Sequence, residues 1–583
     1  MSTVMRSLGV IGLIQGVVFL AIYYASMEGS WLRTQAPLLL GLVYATVAVP
    51  LAWYLTEDIH GLSPRRRVIG VLSLALLLAL LGACEGWAGA DQEGIARPSI
   101  STLACMILGF VGVPLFAHAH ARQGPGWHWN YAALFQTAWR NAMMLAVSFV
   151  LTGIMWAVLF AGSALMGSIG IGFIRELMSL PWFWMPVCTI TFACAMALTL
   201  ARADTVIALR RFWLSMNQAF LVLMLLFSTM WAVALVFTGI APLLETRVAG
   251  FALLWFAALS VKFMNAAYQD GTAEPFNPWL RRILSVAWLT MPVVTIVAAL
   301  AIYQRIAQYG WTGERVWSVF ILIMAMGYAL GYSLSVFAAR RGWMWSVGPT
   351  NIGMALLLCA GLVALSSPIA DARRISVDSQ VKRLLAGKTP VEKFDFRYLD
   401  EKSGIYGRTA FATLKAGIAG HPQADAIIRA AAEYERKKNL WRTERKGPPT
   451  DDELRGRWQL LPAGTPPQPA LIDALLTELR QPKPDRYPAL DCLESRVTCT
   501  LWLGDLDGDQ KPELMVVADE GWRRSASIYR WQADAAILTR VGSIPELSDK
   551  WFEALRRGET KVTPNPWHDI EAGGERAQIK PIP

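Results

Sequence analysis

Long apolar runs separated by short polar loops fill the chain up to about residue 366. An α-helix needs about 20 largely apolar residues to cross a hydrocarbon core about 30 Å thick, and each run approaches that length. The pattern therefore predicts an α-helical membrane protein, a bundle of about 11 transmembrane helices. The predicted spans are 8–24, 37–55, 68–87, 103–119, 141–165, 183–200, 212–240, 248–267, 283–302, 316–337 and 351–365.

Beyond residue 366 charged residues, proline and glycine become frequent, and the pattern changes. Residues 376–386 and 424–441 have helical character, and a proline-rich stretch follows them. Strand-like runs then cover 497–503, 514–518 and 525–531. We expect a polytopic domain over 1–367, a helical segment over 368–445, and a mixed α/β segment over 446–583 that completes a C-terminal α+β domain.

Composition narrows the class of protein. The 583 residues are 54% hydrophobic and 17% charged, with a mean hydropathy of +0.36, which is too apolar for a soluble globular chain of this length. The net charge of +10 is typical of a membrane protein whose arginines and lysines lie at the cytoplasmic helix ends. No basic stripe interleaved with aromatic residues is present, so we expect membrane lipid and no nucleic acid as a partner.

Arginines in the loops predict the orientation, since cytoplasmic loops are enriched in them. With a cytoplasmic N-terminus, about thirteen arginines lie inside and six outside. The inner ones are Arg6, Arg65, Arg66, Arg67, Arg122, Arg140, Arg202, Arg210, Arg211, Arg281, Arg282, Arg340 and Arg341; the outer ones are Arg33, Arg97, Arg175, Arg247, Arg305 and Arg315. An odd number of spans then places the C-terminal domain in the periplasm of a bacterium, with the bundle in the inner membrane.

The cysteines agree with this orientation. Five of the seven lie in predicted spans, where cysteine behaves as a small apolar residue: Cys84, Cys105, Cys188, Cys194 and Cys359. Cys492 and Cys499 lie close together in the C-terminal domain, as expected for a disulfide in an oxidising compartment. The alternative is a pair of unrelated core thiols.

An acidic loop, Asp505-Leu-Asp-Gly-Asp-Gln-Lys-Pro-Glu513, lies between two predicted strands. Carboxylates at Asp505, Asp507, Asp509 and Glu513 suit a hard cation such as Ca²⁺, and the segment resembles the Asp-rich calcium loops of extracellular propeller-type repeats. Gln510 and Val516 depart from the EF-hand pattern. We expect a structural Ca²⁺, the alternative being a solvated turn.

Charged and polar residues are sparse within the predicted spans. Glu85 and Lys262 lie near span ends, and Gln15, Asn217 and Gln218 are expected to bond between helices rather than to bind substrate. Mid-span prolines occur at positions 50, 114, 186 and 292, which could mark broken helices or tolerated kinks. His118, His120 and His128 form a group in which interfacial packing is favoured over a metal site.

One loop carries a resemblance to a known family. Its sequence is Arg305-Ile-Ala-Gln-Tyr-Gly-Trp-Thr-Gly-Glu-Arg-Val-Trp317, and it is followed by Ser379-Gln-Val-Lys-Arg-Leu-Leu385 and Phe394-Asp-Phe-Arg-Tyr-Leu399. These segments resemble a bacterial inner-membrane family catalogued as a domain of unknown function, which implies a fold and no catalytic residues. Arg305, Tyr309, Trp311, Glu314 and Arg315 are candidates either for an interfacial corner, with the three charged residues paired, or for a substrate-contacting loop.

The sequence leaves three candidate functions, which we rank from the most to the least favoured. A non-enzymatic envelope component would anchor a periplasmic sensing or partner-binding domain. A transporter of an uncharged or amphipathic substrate is second. A lipid-linked transferase is third, because the first outer loop offers Glu28 alone and no Gly-x-Ser-x-Gly elbow, phosphate loop or His-Glu-x-x-His motif is present.

Overall fold

The computed structural model divides into two compact units, 1–431 and 432–583. It describes all residues except 1–2, 28–30, 58, 91–98, 122–126, 170, 247–248, 273–274, 338–341, 419, 444–450, 452–453, 455–457, 462–468, 481–491, 493–496, 520–523, 533–536, 545–546, 564–568, 573–574, 578–579 and 582–583. The first unit contains the apolar runs and the helical segment that follows them.

Eleven helical spans in the described residues of the first unit are long and apolar enough to cross a membrane, which confirms the predicted bundle. They are formed by α1 (Thr3–Ala25), α2 (Ala36–Thr56), α3 (Pro64–Gly89), α4 (Ile100–Ala117), α5 (Tyr131–Gly167), α7 (Pro181–Ala201), α8 (Ala203–Thr238), α10 (Ala249–Tyr268), α11 with α12 (Pro278–Ala287 and Thr290–Tyr309), α13 (Gly313–Phe337) and α14 (Val347–Leu365). Shorter helices are α6 (Phe173–Ser179) and α9 (Ala241–Glu245).

Two helices extend well beyond the apolar runs that predicted them. Helix α5 has 37 residues and α8 has 36, so each is about 55 Å long at about 1.5 Å per residue. Both begin about ten residues before the predicted span, in sequence that contains Arg140 or the pair Arg210 and Arg211. Backbone hydrogen bonding continues through these polar turns, whereas hydropathy detects only the part that suits hydrocarbon.

The ninth span is broken near Trp288. Its two helices, α11 and α12, are separated by Trp288 and Leu289. Pro292 has no N–H to donate to the carbonyl four residues earlier, which is that of Trp288. The Trp288 side chain is fully buried, and its indole N–H donates to the carbonyl of Ala329 at 3.2 Å. The prolines at positions 50, 114 and 186 lie inside continuous helices.

Two apolar cores fill the bundle. The first is centred on α1 to α5 and α7, with Tyr54, Leu78 and Met196 among its members. The second joins α8 and α10 to α14, with Leu221 and Trp288. Small residues permit close helix approach: α1 meets α7 where Gly12 lies against Ala193 and the backbone of Thr189. Such contacts are typical of helices that pack in lipid.

The helical segment after the last span belongs to the first unit. It consists of α15 (Ala372–Leu385), short turns at Val391–Lys393 and Tyr398–Lys402, and α16 (Gly404–Ala416). Helix α17 (Ala424–Thr443) follows, and the division between the units falls inside it.

A six-stranded sheet organises the second unit. Its strands are β3 (Gln459–Leu461), β4 (Thr498–Gly504), β5 (Glu513–Asp519), β6 (Arg524–Gln532), β7 (Ile537–Ile544) and β11 (Lys580–Pro581). Their order across the sheet is β11-β7-β6-β5-β4-β3, and neighbouring strands are antiparallel except for β3 beside β4. A smaller sheet contains β8 (Thr560–Thr563), β9 (Asp569–Ala572) and β10 (Glu575–Ala577). In the first unit, β1 (His120–Ala121) pairs with β2 (Trp127–His128).

Alternating residues of β5 enter two different cores. Leu514 and Val516 pack with α18 (Pro469–Arg480), and Met515 and Val517 pack with α19 (Asp549–Arg556). This is the period of two that a strand covered on both faces requires. The predicted strands at 497–503, 514–518 and 525–531 correspond to β4, β5 and β6.

Candidate functional site

A buried ion cluster joins α3 to the segment after the last span. Glu85, near the end of α3, is 2% exposed, and Asp371, the N-cap of α15, is 4% exposed. Arg373 donates to Glu85 from Nη1 at 3.1 Å and from Nη2 at 2.9 Å. The same guanidinium donates to Asp371 from Nε at 3.1 Å and from Nη2 at 2.9 Å. Two carboxylates thus share one cation whose fork geometry suits both.

Its two acidic partners stabilise the charged form of Arg373. Burial disfavours the charged guanidinium, but the hydrogen bonds and the attraction of Asp371 and Glu85 raise the pKa of Arg373 above its ordinary value. A charged Arg373 is what the two buried carboxylates require, since an unpaired buried charge is costly. We call the set of Glu85, Asp371 and Arg373 the ion joint.

Helix α16 packs beside the ion joint. Tyr406 meets Trp87 edge to face with ring centroids 5.7 Å apart, and Arg408 donates from Nη1 to the carbonyl of Ala90 at 2.5 Å. Gly404 has a φ of +59° and lies against the carbonyl of Ala88, where a Cβ would collide. Glycine is therefore needed at the start of α16 for the helix to approach α3.

Helix α15 also caps the corner between α12 and α13. Gln380 donates from Nε2 to the carbonyls of Tyr309 at 3.1 Å and Trp311 at 2.8 Å. Ser379 accepts from the N–H of Trp311 at 3.1 Å. Arg383 donates from Nη2 to the carbonyl of Gln308 at 2.7 Å. The last carbonyls of a helix have no partner within it, so α15 satisfies groups that α12 leaves open.

The five loop candidates take part in this corner in different ways. Arg305 donates to the carbonyl of Thr246 at 3.3 Å. Arg315 donates to the carbonyl of Gly310 at 2.5 Å and lies 5.5 Å from the centroid of the Tyr309 ring. Trp311 packs on the first core. Within the described chain, Glu314 makes no ion pair with the two arginines, which differs from the expected cluster: the arginines bind backbone carbonyls instead.

A polar ring inside the bundle carries no simple sequence signal. Asn351 donates from Nδ2 to the hydroxyl of Tyr131 at 2.8 Å and to Oδ1 of Asn265 at 2.6 Å. Asn265 donates to the hydroxyl of Tyr332 at 3.0 Å, and that hydroxyl donates back to Asn351 at 2.5 Å. The ring ties α5, α10, α13 and α14 together. Only residues far apart in sequence form it, so periodicity could not reveal it.

The polar residues that the sequence analysis selected within the spans make different kinds of hydrogen bond. Gln15 donates from α1 to the carbonyl of Thr46 in α2 at 3.1 Å, the expected bond between helices. Asn217 instead donates to the carbonyl of Trp213 in its own helix at 2.7 Å. His118 lies 2.7 Å from the hydroxyl of Thr137. The side chains of His120 and His128 lie outside the described residues.

The acidic loop brings three of its four candidates together. Ligand oxygens of Asp505, Asp507 and Glu513 lie within 4.8 Å of one another. Asp509 is not in this group, and its Oδ1 accepts the N–H of Lys511 at 2.8 Å. Glu513 is 1% exposed, and burial raises its pKa. Arg530 pairs with Asp507 and lies 3.6 Å from Glu513 through Nε.

A disulfide lies in the same unit. Cys492 and Cys499 are joined, with Cα atoms 5.8 Å apart. Both are buried beside α18, in the core that contains Leu471 and Leu475. The bond ties the chain just before β4 to the strand itself.

Comparison with known proteins identifies the family of the chain but assigns it no activity. No curated protein and no solved structure matches the chain. The family described as "Domain of unknown function (DUF4153)" matches residues 16–405, which is more than half of the chain. The matched range contains the ion joint, the α12–α13 corner and α15. The chain therefore belongs to the DUF4153 family.

Proposed function

We propose that this protein is a non-enzymatic component of the bacterial inner membrane that anchors and positions a periplasmic sensing or partner-binding domain. The observation that carries the proposal is the ion joint together with the capped α12–α13 corner. These contacts attach α15 and α16 to the bundle. The segment that precedes the second unit in the chain is therefore held in place. Helix α15 hydrogen-bonds the backbone of the loop at Tyr309 and Trp311, which favours the interfacial corner over a substrate contact.

The interior of the bundle supports an anchor more than an ion-coupled carrier. Among the described residues of the eleven spans, Glu85 is the one buried charged side chain, and it lies near a helix end. Carriers that couple to ions usually place charged groups or open helix ends near mid-membrane. Here the middle of the bundle is occupied by the two apolar cores.

Reporter fusions test the orientation. The arginine bias predicts a cytoplasmic N-terminus, so alkaline phosphatase fused after Ser367 or at the C-terminus should be active. The same reporter fused near residue 340 should be inactive. The opposite pattern would contradict the periplasmic placement of the second unit.

Crosslinking tests the function itself. Ile537 in β7 is 52% exposed and lies in the unit proposed to bind a partner. A photo-reactive residue at this position in the full-length protein should crosslink to one defined envelope protein in intact cells. The control is the same residue at Ile369, a 72% exposed position beside the bundle. Equal labelling from both positions, or none from Ile537 and other exposed sites of the second unit, would contradict partner binding.

We further propose a structural Ca²⁺ at Asp505, Asp507 and Glu513, with Asp509 contributing charge from the same loop. Carboxylate oxygens are the ligands that Ca²⁺ prefers. Arg530 now supplies positive charge to Asp507 and Glu513, so an ion would compete with this guanidinium. Calcium should raise the melting temperature of the second unit by mass action.

Two variants make that test specific. Replacing both Asp505 and Asp507 by Ala should remove the calcium-dependent rise, and Arg530→Gln should enlarge it because the competing cation is lost. The melting of the full-length protein is compared in millimolar calcium and in chelator. Equal melting temperatures in both solutions would show that the loop is only a turn.

A further inference from the structure

A cavity of about 340 Å³ lies between the end of α2 and the start of α3. Trp53, Leu62 and Val68 form its apolar lining, and His60 and Arg67 are among its polar lining. A cavity with an apolar wall and a few fixed polar groups is the usual form of a small-molecule site. Its place at the ends of two spans suits a ligand that is itself amphipathic.

Arg67 is held in a fixed orientation at this cavity. It donates from Nε to Thr56 at 3.1 Å and from Nη2 to the carbonyl of Trp53 at 2.8 Å, and it pairs with Glu57. Its guanidinium lies 3.9 Å over the Trp53 ring. In the described part of the chain, Nη1 has no hydrogen-bond partner, so one terminal nitrogen is left to bind a ligand.

The surrounding charge favours an anion. Helix α3 begins at Pro64 after the N-cap Ser63, and its 26 residues place partial positive charge at this end. Arg65 is exposed in the first turn. Arg66 is engaged elsewhere, through the carbonyl of Ala119. From Glu57 to Arg67 the sequence contains two acids, Glu57 and Asp58, and three arginines at positions 65 to 67, so one net positive charge remains, which matches a phosphodiester.

The lipid-facing side of α3 starts at the same point. From Arg65, residues three and four apart on one helix face are exposed and apolar: Ile69 at 53%, Leu72 at 57%, Leu76 at 62% and Leu80 at 56%. Exposed apolar residues along a spanning helix face hydrocarbon. Arg65 therefore marks the depth at which lipid headgroups begin, and Val68 lies both in the cavity and at the top of this face.

We propose that the cavity binds the phosphodiester headgroup of an anionic phospholipid, with an acyl chain along the apolar face of α3. Basic pockets at the ends of spans are suited to anionic headgroups. Arg67 binds the phosphate from the cavity, Arg65 on the adjacent exposed face of α3 adds positive charge near it, and Leu62 and Val68 contact the first acyl carbons. The site is independent of the anchoring function and of the orientation of the bundle.

Native mass spectrometry of the full-length protein in detergent tests the site. With phosphatidylglycerol, one lipid should remain bound at detergent concentrations that remove phosphatidylcholine, with a Kd at least about tenfold lower, a difference of about 1.4 kcal/mol. Arg65→Gln should weaken phosphatidylglycerol several-fold, and the double variant of Arg65 and Arg67 to Gln should remove the preference. Arg282→Gln is the matched control, since Arg282 is exposed near the start of α11, which like α3 follows a residue that caps it with its side chain (Asn277) and begins with a proline, Pro278.

A second variant covers the case in which loss of Arg67 impairs folding. Val68→Trp fills the cavity from an exposed position and leaves every charge in place, so it should also abolish the retained lipid. Equal retention of the two lipids, or an equal loss in Arg282→Gln, would overturn the proposal. Displacement of the lipid by millimolar inorganic phosphate would assign the cavity to a free anion and would overturn it as well.

Discussion

The two compact units are stabilised by different kinds of contact. In the bundle, helices approach through glycine and alanine, as where α1 meets α7 at Gly12 and Ala193, and the polar ring and the ion joint add specific bonds. In the second unit, a sheet lies between α18 and α19, with alternate residues of β5 buried on opposite faces. A disulfide adds a covalent tie there.

The difference follows from the solvent that each unit displaces. Apolar side chains in a bilayer are about as well solvated by lipid as by another helix, so close packing and polar bonds select which helices touch. Apolar residues of a water-exposed domain gain free energy simply by leaving water. We therefore expect the bundle to depend on a few polar partners, and the second unit to depend on its apolar cores and its covalent tie.

Removing the cation of the ion joint should have the largest effect. Arg373→Met leaves Glu85 and Asp371 buried without a charge partner, which costs about 3 kcal/mol, at the low end for a buried pair because Arg373 itself is 20% exposed. The expected result is a lower melting temperature of the full-length protein and protease cleavage near α15. Arg374→Met is the control, since Arg374 donates to the carbonyl of Ile369 and is not part of the joint. Equal behaviour of both variants would show that the joint contributes no stability.

Loss of the disulfide should act on the second unit alone. Replacing Cys492 and Cys499 by Ser removes a short covalent loop, for which a loss of about 2 to 3 kcal/mol is expected. Hydrogen exchange should show faster exchange in β4 and β5 and unchanged exchange in α3 and α10. Mass spectrometry of the unreduced wild-type protein provides the reference, and free alkylatable thiols at both positions would contradict the pairing.

The polar ring provides a smaller test within the membrane. Asn351→Leu removes the bonds to Tyr131, Asn265 and Tyr332, and bonds between helices in membranes contribute about 0.5 to 2 kcal/mol. Denaturation in mixed micelles should detect a loss of this size. Asn217→Leu, which removes a bond within one helix, should change stability less. A larger loss in the control would argue against the ring.

The smallest effect concerns the pH dependence of the second unit. Burial, the largest cause, raises the pKa of Glu513 above its ordinary value of 4.5, although the N–H of Leu506 opposes the shift. A raised pKa gives stability that is fully present below the unfolded pKa and is lost as the pH rises through the folded value. Glu513→Gln should therefore flatten the decline of stability just above pH 4.5. Denaturant unfolding from pH 4 to pH 7 measures it, with Glu553→Gln, an exposed change on α19, as the control.

Much of the architecture was predictable because crossing a membrane is a local property of the chain. A run of about 20 apolar residues forms a helix in lipid whatever its neighbours are, since its backbone groups have no other partners there. The strands of the second unit were likewise predictable from runs such as 514–518. Helix ends were less predictable: α5 starts at Tyr131, ten residues before its apolar run, because polar turns can extend a helix into water.

The sequence identified single residues of the candidate site but not the contacts between them. The resemblance drew attention to the loop around Tyr309 and Trp311 and to the segment that begins at Ser379, but not to the hydrogen bonds between them. The sequence placed Glu85 near the end of a predicted span, as expected for an acid near the membrane surface. Its partner Arg373 lies 288 positions later in the chain. Sequence spacing grouped Asp509 with Asp505 and Asp507, whereas the folded loop turns it to the backbone of Lys511.

The sequence by itself determined how many helices cross the membrane, where the polar C-terminal part begins, and which residue types were available for ionic contacts. The tertiary structure decided that Arg373 lies between Glu85 and Asp371, that α15 caps α12, and that a cavity forms beside Arg67. The physical reason is that hydropathy and helix formation depend on neighbours in the chain. Burial and charge pairing depend on neighbours in space, which only the folded chain brings together.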